Sequence, residues 1–102
     1  MDSQWTFLTN HSHVLVLLYK NPDLVLREVA QQVGITERAV QRIVADLEKA
    51  GYLQRNRVGR RNRYEVQLSG RLRHPVESKI EVRDLLKLLS SQDALIEPAG
   101  SG

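Results

Sequence analysis

Between residues 9 and 20 the apolar positions Val14, Leu17 and Leu18 stand at i, i+3 and i+4, the spacing of one helix face. Thr9 or Asn10 precedes them, and either side chain can accept from the open N–H groups of a first helix ending near Lys20. Asn21-Pro22-Asp23 breaks that pattern. Leu24-Val25-Leu26 reads as a small strand. Val29, Ala30 and Val33 then share one face of a second helix over 27–33, which Gly34 ends because glycine enters the left-handed conformation at no steric cost. Thr36 caps a third helix over 36–50, and Glu37 in its first turn complements the helix dipole. Val40, Ile43, Val44 and Leu47 form its apolar stripe, and Gly51 closes it.

The period then changes from helical to alternating. Tyr64, Val66 and Leu68 alternate with Arg63, Glu65 and Gln67, as in a half-buried strand. Residues 53–57 are its partner and 58–61 the turn, so 53–68 is a hairpin. A helical stripe returns over 76–89, with Val76, Ile80, Val82, Leu85, Leu86 and Leu89 on it. Three earlier helices already serve one core, so this stripe is expected to pack against its twin in a second copy of the chain. Trp5, Phe7 and Leu8 form a partly packed lead-in that could join that interface. The organisation expected is a domain over 1–74, a dimerisation helix over 75–90 and a flexible, polar, Gly/Pro-tinged tail over 91–102. The fold class is mainly α with a small β-hairpin.

Charge changes this picture more than composition does. The 102 residues carry a net charge of only +3. Residues 27–73, however, hold eleven basic and five acidic side chains, and the segments on either side are net negative. Five arginines crowd into Arg55 to Arg63 around Gly59, with no acid among them. Like charges at that density repel unless an anion separates them, so nucleic acid is the first partner to consider.

Helix, short strand, helix, tight turn, helix, two-strand hairpin is the order of a winged helix-turn-helix (three-helix core and two-strand wing). The stretch REVAQQVGITERAVQRIVADLEKAGYL followed by RVGRRNRYEV resembles bacterial winged-helix transcriptional regulators of the MarR/ArsR-like kind. The likeness extends over residues 4–90 to small stand-alone regulators with a TFLTNH…HVL start, a VGRRNRY wing and an LRHPVE link. It implies a double-stranded DNA partner, a homodimer and a repressor's role.

The residues carry the same reading by themselves. At about 100° per residue, Arg38, Arg42, Ala45 and Lys49 fall opposite the apolar stripe of the third helix, with Ala39 and Gln41 on its flanks. A helix fits the major groove, where Arg pairs with guanine, Gln with adenine, and Ala permits close approach or meets a thymine methyl. Arg38, Ala39, Gln41 and Arg42 are therefore the expected base-side residues, and Thr36 a phosphate contact. Arg60 and Arg61 at the hairpin tip reach the backbone or a narrow minor groove, and Arg55, Arg57 and Arg63 face phosphates.

Other chemistry finds little support. Without cysteine there is neither a disulfide framework nor a thiolate metal site. His11 and His13 are two apart and point to different sides of a helix, and His74 is remote, so no metal and no cofactor is expected. No nucleophile motif, phosphate-binding glycine loop or metalloprotease pair occurs, which argues against an enzyme. MDSQWTFLTN lacks the pattern of a secretory signal, and the longest apolar run, Val14 to Leu18, is far short of a membrane span. A cytoplasmic protein is expected. The alternative is a winged-helix module used for protein–protein or RNA contact. An effector ligand is not identified by any convergent set of residues.

Overall fold

The computed structural model describes residues 5–90. Three helices and a hairpin follow one another in the first part of the chain: α1 (Asn10–Lys20), α2 (Leu26–Val33), α3 (Glu37–Lys49), β1 (Leu53–Val58) and β2 (Arg61–Val66). Each boundary has a local cause. The Thr9 hydroxyl accepts from the Ser12 N–H and starts α1. The Thr36 hydroxyl accepts from the Ala39 N–H at 3.0 Å and starts α3. Gly34 and Gly51 take φ of +88° and +86°. Behind Gly51, the Tyr52 N–H reaches Leu47 O at 2.9 Å and the Gly51 N–H reaches Glu48 O at 3.1 Å. This paired closure satisfies two carbonyls that α3 would otherwise leave open, and it turns the chain back along the helix it has just left.

Val14, Leu15 and Leu18 of α1, Val29 and Ala30 of α2, and Val40, Ile43, Val44 and Leu47 of α3 are buried, joined by Leu53 and Tyr64 from the hairpin. The stripe of α1 is thus turned slightly from the expected one, with Leu15 inside and Leu17 half-buried. No strand forms at 24–26. Pro22 has no N–H to give, and the segment's backbone tie to the hairpin is the Tyr64 N–H donating to Pro22 O at 3.0 Å. Leu26 instead opens α2. The hairpin is antiparallel, from Leu53↔Val66 to Val58↔Arg61, with Gly59-Arg60 as a two-residue loop. Gly59 has φ +63°, the region such a loop demands. The expected 58–61 turn is therefore tighter, because Val58 and Arg61 pair. Trp5 and Phe7 are exposed rather than partly packed, and they meet each other edge to face at 5.2 Å.

The chain divides into two compact units between Val66 and Gln67, before the boundary expected at residue 74. In the second unit, the Leu72 N–H donates to Ile80 O (3.0 Å), the Val82 N–H to Gly70 O (2.7 Å) and the Arg83 N–H to Leu68 O (3.0 Å). These bonds tie residues 68–72 to 80–83, with an isolated bridge between Arg71 and Glu81. A 3₁₀ turn at Pro75–Glu77 lies between them, capped by His74, whose Nδ1 accepts from the Val76 N–H at 3.1 Å. The last helix, α4, is helical from residue 82 to residue 90, the last residue described. It starts later than the expected 76 because the backbone of 80 and 82 is engaged with 70–72. Asp84 accepts from the Glu81 N–H at 3.1 Å and supplies one half of a capping box. Val82 and Leu86 are 1% exposed each, so one chain already covers them. That corrects their expected place on a free dimer face. Leu85 and Leu89 are half-buried, and Val76 and Ile80 are exposed. The flexible tail expected over 91–102 lies outside the described residues.

Candidate nucleic-acid interface

α3 presents three different sides. Its core side holds Val40, Ile43, Val44 and Leu47. One flank, through Asp46, meets α1: Asp46 Oδ2 lies 2.9 Å from His11 Nε2. The other flank meets the hairpin. There Glu48 accepts from Arg55 twice, Oε2 from Nε and Oε1 from Nη2, both at 2.9 Å. Between the two flanks, opposite the core, stand Arg38, Arg42, Ala45 and Lys49, all exposed. Among the described residues neither Arg38, Arg42 nor Lys49 makes an ion pair.

The hairpin leans toward the same helix. A cleft of about 530 Å³ separates the two. Glu37 and Gln41 of α3 line one wall, Arg60, Arg61 and Asn62 the other, and Leu26, Val44 and Tyr64 are among the remaining lining residues. The wing tip therefore stands beside the N-terminal half of α3. Gln41 lies between that cleft and the Arg38–Arg42 face, one step round the helix. The hairpin-tip arginines line this cleft, and the cations of α3's outer face stand next to Gln41 on its far rim.

The five hairpin arginines split by partner. Arg60 and Arg61 are exposed with no carboxylate partner among the described residues. Arg57 is exposed, and its Nε donates to Gly59 O at 3.3 Å within the hairpin. Arg55 is different. Besides its fork on Glu48, its guanidinium lies 6.0 Å from the Tyr64 ring centroid. The Glu48 hydrogen bonds raise its pKa, so it stays a cation. Burial raises the Tyr64 pKa as well, since the apolar site disfavours the phenolate. Arg63 Nη1 meets both oxygens of Asp23, at 3.3 and 3.1 Å. Arg55 and Arg63 were expected to face phosphates; instead their guanidiniums are turned onto the protein's own acids.

The remaining expected residues fall as follows. The Thr36 hydroxyl is engaged in capping, while the residue itself is exposed at the start of α3. Ala39 is half-buried, on the Asp46 flank rather than the wing side. Each histidine has its own partner: His11 with Asp46, His13 with Asn10 Oδ1 at 3.0 Å, and His74 at the 3₁₀ turn. Among the described residues no group of three or more His, Asp or Glu gathers that could hold a metal. No described helix is long and apolar enough to cross a membrane. Sequence reasoning missed Glu48 and Asp23 as arginine partners, and Glu37 and Asn62 as cleft residues. The Glu48–Arg55 contact depends on the reversal at Gly51, and the Asp23–Arg63 contact spans 40 residues, so neither leaves a periodic signal.

Residues 8–54 match the family model described as winged helix-turn-helix DNA-binding. That match and the order of elements give the chain a winged helix-turn-helix fold. The match takes in α1, α2, α3 and the first residues of β1 and stops short of the wing arginines. No curated protein matches the chain in sequence. Among solved structures it is similar to the PcaV transcriptional regulator from Streptomyces coelicolor, determined in complex with its natural ligand. Identity is 28% and the TM-score 0.51, over 66% of this chain and 49% of that one. It is also similar in fold to FabT from Streptococcus pneumoniae, determined in complex with DNA. There identity is 20% and the TM-score 0.59, over 98% of this chain and 65% of that one. The chain thus spans about half the length of PcaV and 65% of FabT.

Proposed function

We propose that the chain is a sequence-specific, double-stranded DNA-binding transcriptional regulator of the cytoplasm, a repressor that acts as a homodimer. α3 enters the major groove with Arg38, Gln41 and Arg42 toward base edges, while Thr36 and Ala39 sit close to the backbone and the groove wall. Arg57, Arg60 and Arg61 on the wing run along phosphates or into the minor groove. The observation that carries this reading is that Gln41, next to the Arg38–Arg42 face of α3, lines one cleft with the wing-tip Arg60 and Arg61, and that Arg38, Arg42, Arg60 and Arg61 have no carboxylate partners among the described residues. An unneutralised arginine pair at the hairpin tip has an evident use on a polyanion and little use within the fold. FabT, of the same fold, was captured on DNA, and PcaV is a transcriptional regulator.

The reading is tested by selecting bound duplexes from a random pool. Enrichment of one site is expected, in two half-sites about one helical turn apart if the chain acts as a dimer. Recovery of no preferred duplex, or tighter binding of single-stranded RNA than of duplex, contradicts it. Of the residues expected at the homodimer interface, Val76, Ile80, Leu85 and Leu89 keep exposed surface. Leu85→Glu is expected to lower the sedimenting mass to that of one chain. An unchanged mass removes α4 from the interface.

A further inference from the structure

We infer that Glu48 and Arg55 are positioning residues that set the wing's angle on α3, so that Arg55 serves DNA recognition without touching DNA. The inference rests on the DNA-binding reading above. Arg55 is a middle residue of β1 and pairs across the hairpin with Tyr64. Tyr64 is buried at 3% exposure, while the loop residues Gly59 and Arg60 lie well beyond it. A two-stranded hairpin is marginal by itself and takes its orientation from what it packs on. Below the pair, Leu53 and Tyr64 anchor the hairpin in the core. One step above it Arg63 meets Asp23 in a more exposed pair, and beyond that the hairpin runs free to Gly59. Glu48–Arg55 is thus an ionic tie at the point where the wing leaves the core, and it joins the wing to the helix that would read bases.

Its geometry is that of a stiff connection. Two parallel N–H···O bonds at 2.9 Å fix the guanidinium in plane as well as in position. Glu48 is three-quarters shielded, with side-chain exposure of 26%, whereas the Asp23–Arg63 pair is about half exposed on both sides. Glu48 is the next-to-last residue of α3, on the wing flank, and the paired closure at Gly51 brings β1 back past it. A lysine at position 55 would keep the charge but lose the fork. A free arginine there would be one more mobile cation beside the duplex, useful for affinity and without value for register. Neutralising it inside the protein gives up one phosphate contact in exchange for a fixed angle between tip and helix.

The test compares duplex binding across a salt series for wild type, Glu48→Gln, Arg55→Ala and Arg60→Ala. The preferred duplex and a random duplex serve as probes, and folding is followed by thermal melting. Arg55→Ala is expected to weaken the preferred duplex about fivefold while leaving the salt slope on random duplex unchanged, since no phosphate contact is lost. Glu48→Gln frees Arg55 and is expected to steepen that slope by about 0.9 while the preference falls. Amide exchange of the hairpin in free Glu48→Gln protein is expected to quicken, whereas exchange in α1 is not. A slope that drops by about 0.9 in Arg55→Ala makes Arg55 a phosphate contact and overturns the inference. So does an unchanged preference in both variants. Arg60→Ala separates the two levels: if it and wild type show no salt-dependent duplex binding, the DNA reading has failed, not the tie.

Discussion

Arg55 and Arg60 are the same side chain five residues apart on one hairpin, yet their surroundings assign them opposite tasks. Arg55 meets Glu48 through both edges of a fork and lies near the Tyr64 ring. Arg60 stands on a two-residue loop with no carboxylate partner among the described residues. The same division repeats on α3. Its two flanks carry Asp46 and Glu48, each held by a basic partner from another element, while the outer face carries Arg38, Arg42 and Lys49 unpaired. Asp23, Asp46 and Glu48 are thus spent where elements meet, while Arg38, Arg42, Lys49, Arg60 and Arg61 are left bare where a duplex would lie. Net charge alone hides this, because +3 is small. What matters is which cations are already neutralised.

That comparison can be broken at several points. The largest effect is expected from Arg42→Ala on the bare face. Affinity for the preferred duplex should fall about 10- to 100-fold in a binding titration, with random duplex little changed, because a bidentate base contact is lost. A parallel loss on every sequence would make Arg42 a phosphate contact instead. Thr36→Ala removes a hydroxyl that holds the Ala39 N–H, and should cost about 1 kcal/mol of stability in denaturant unfolding. Duplex affinity should stay close to that of wild type; an equal loss on every sequence would show that Thr36 also holds a phosphate. The smallest effect is expected from Asp23→Asn. Its pair with Arg63 is about half exposed on both sides, so stability should change by no more than about 1 kcal/mol. A large loss would place that pair beside Glu48–Arg55 as a structural tie.

How much of this was legible in the sequence depends on the range of the interaction. The caps at Thr9 and Thr36 and the stops at Gly34 and Gly51 act within three or four residues, and the chain's pattern announces them. The stripe of α3 is equally local, and all four of its members are buried. Leu24-Val25-Leu26 looked like a strand because it is short and apolar, but a strand needs a partner, and Pro22 leaves little for β2 to pair with. The start of α4 was misplaced for a related reason. Nothing near Val76 announces that residues 80–83 bond to 68–72. Periodicity found the stripe of α4 but could not say what covers it, and Val82 and Leu86 proved to be covered already. At the interface, the wing and α3 arginines were legible as a cluster. Their division into paired and bare was not, because Glu48 and Asp23 reach them only through the fold.

The central claim is that α3's outer face and the wing tip together form a surface for duplex DNA. It is met most directly by the salt dependence of duplex binding for wild type and the double variant Arg60→Ala, Arg61→Ala. The account predicts that wild type binds with a steep dependence on salt. The double variant should then weaken on all sequences alike, its slope shallower by about 1.8. Equal slopes for the two proteins, or a wild type that does not hold duplex even at low salt, would contradict it.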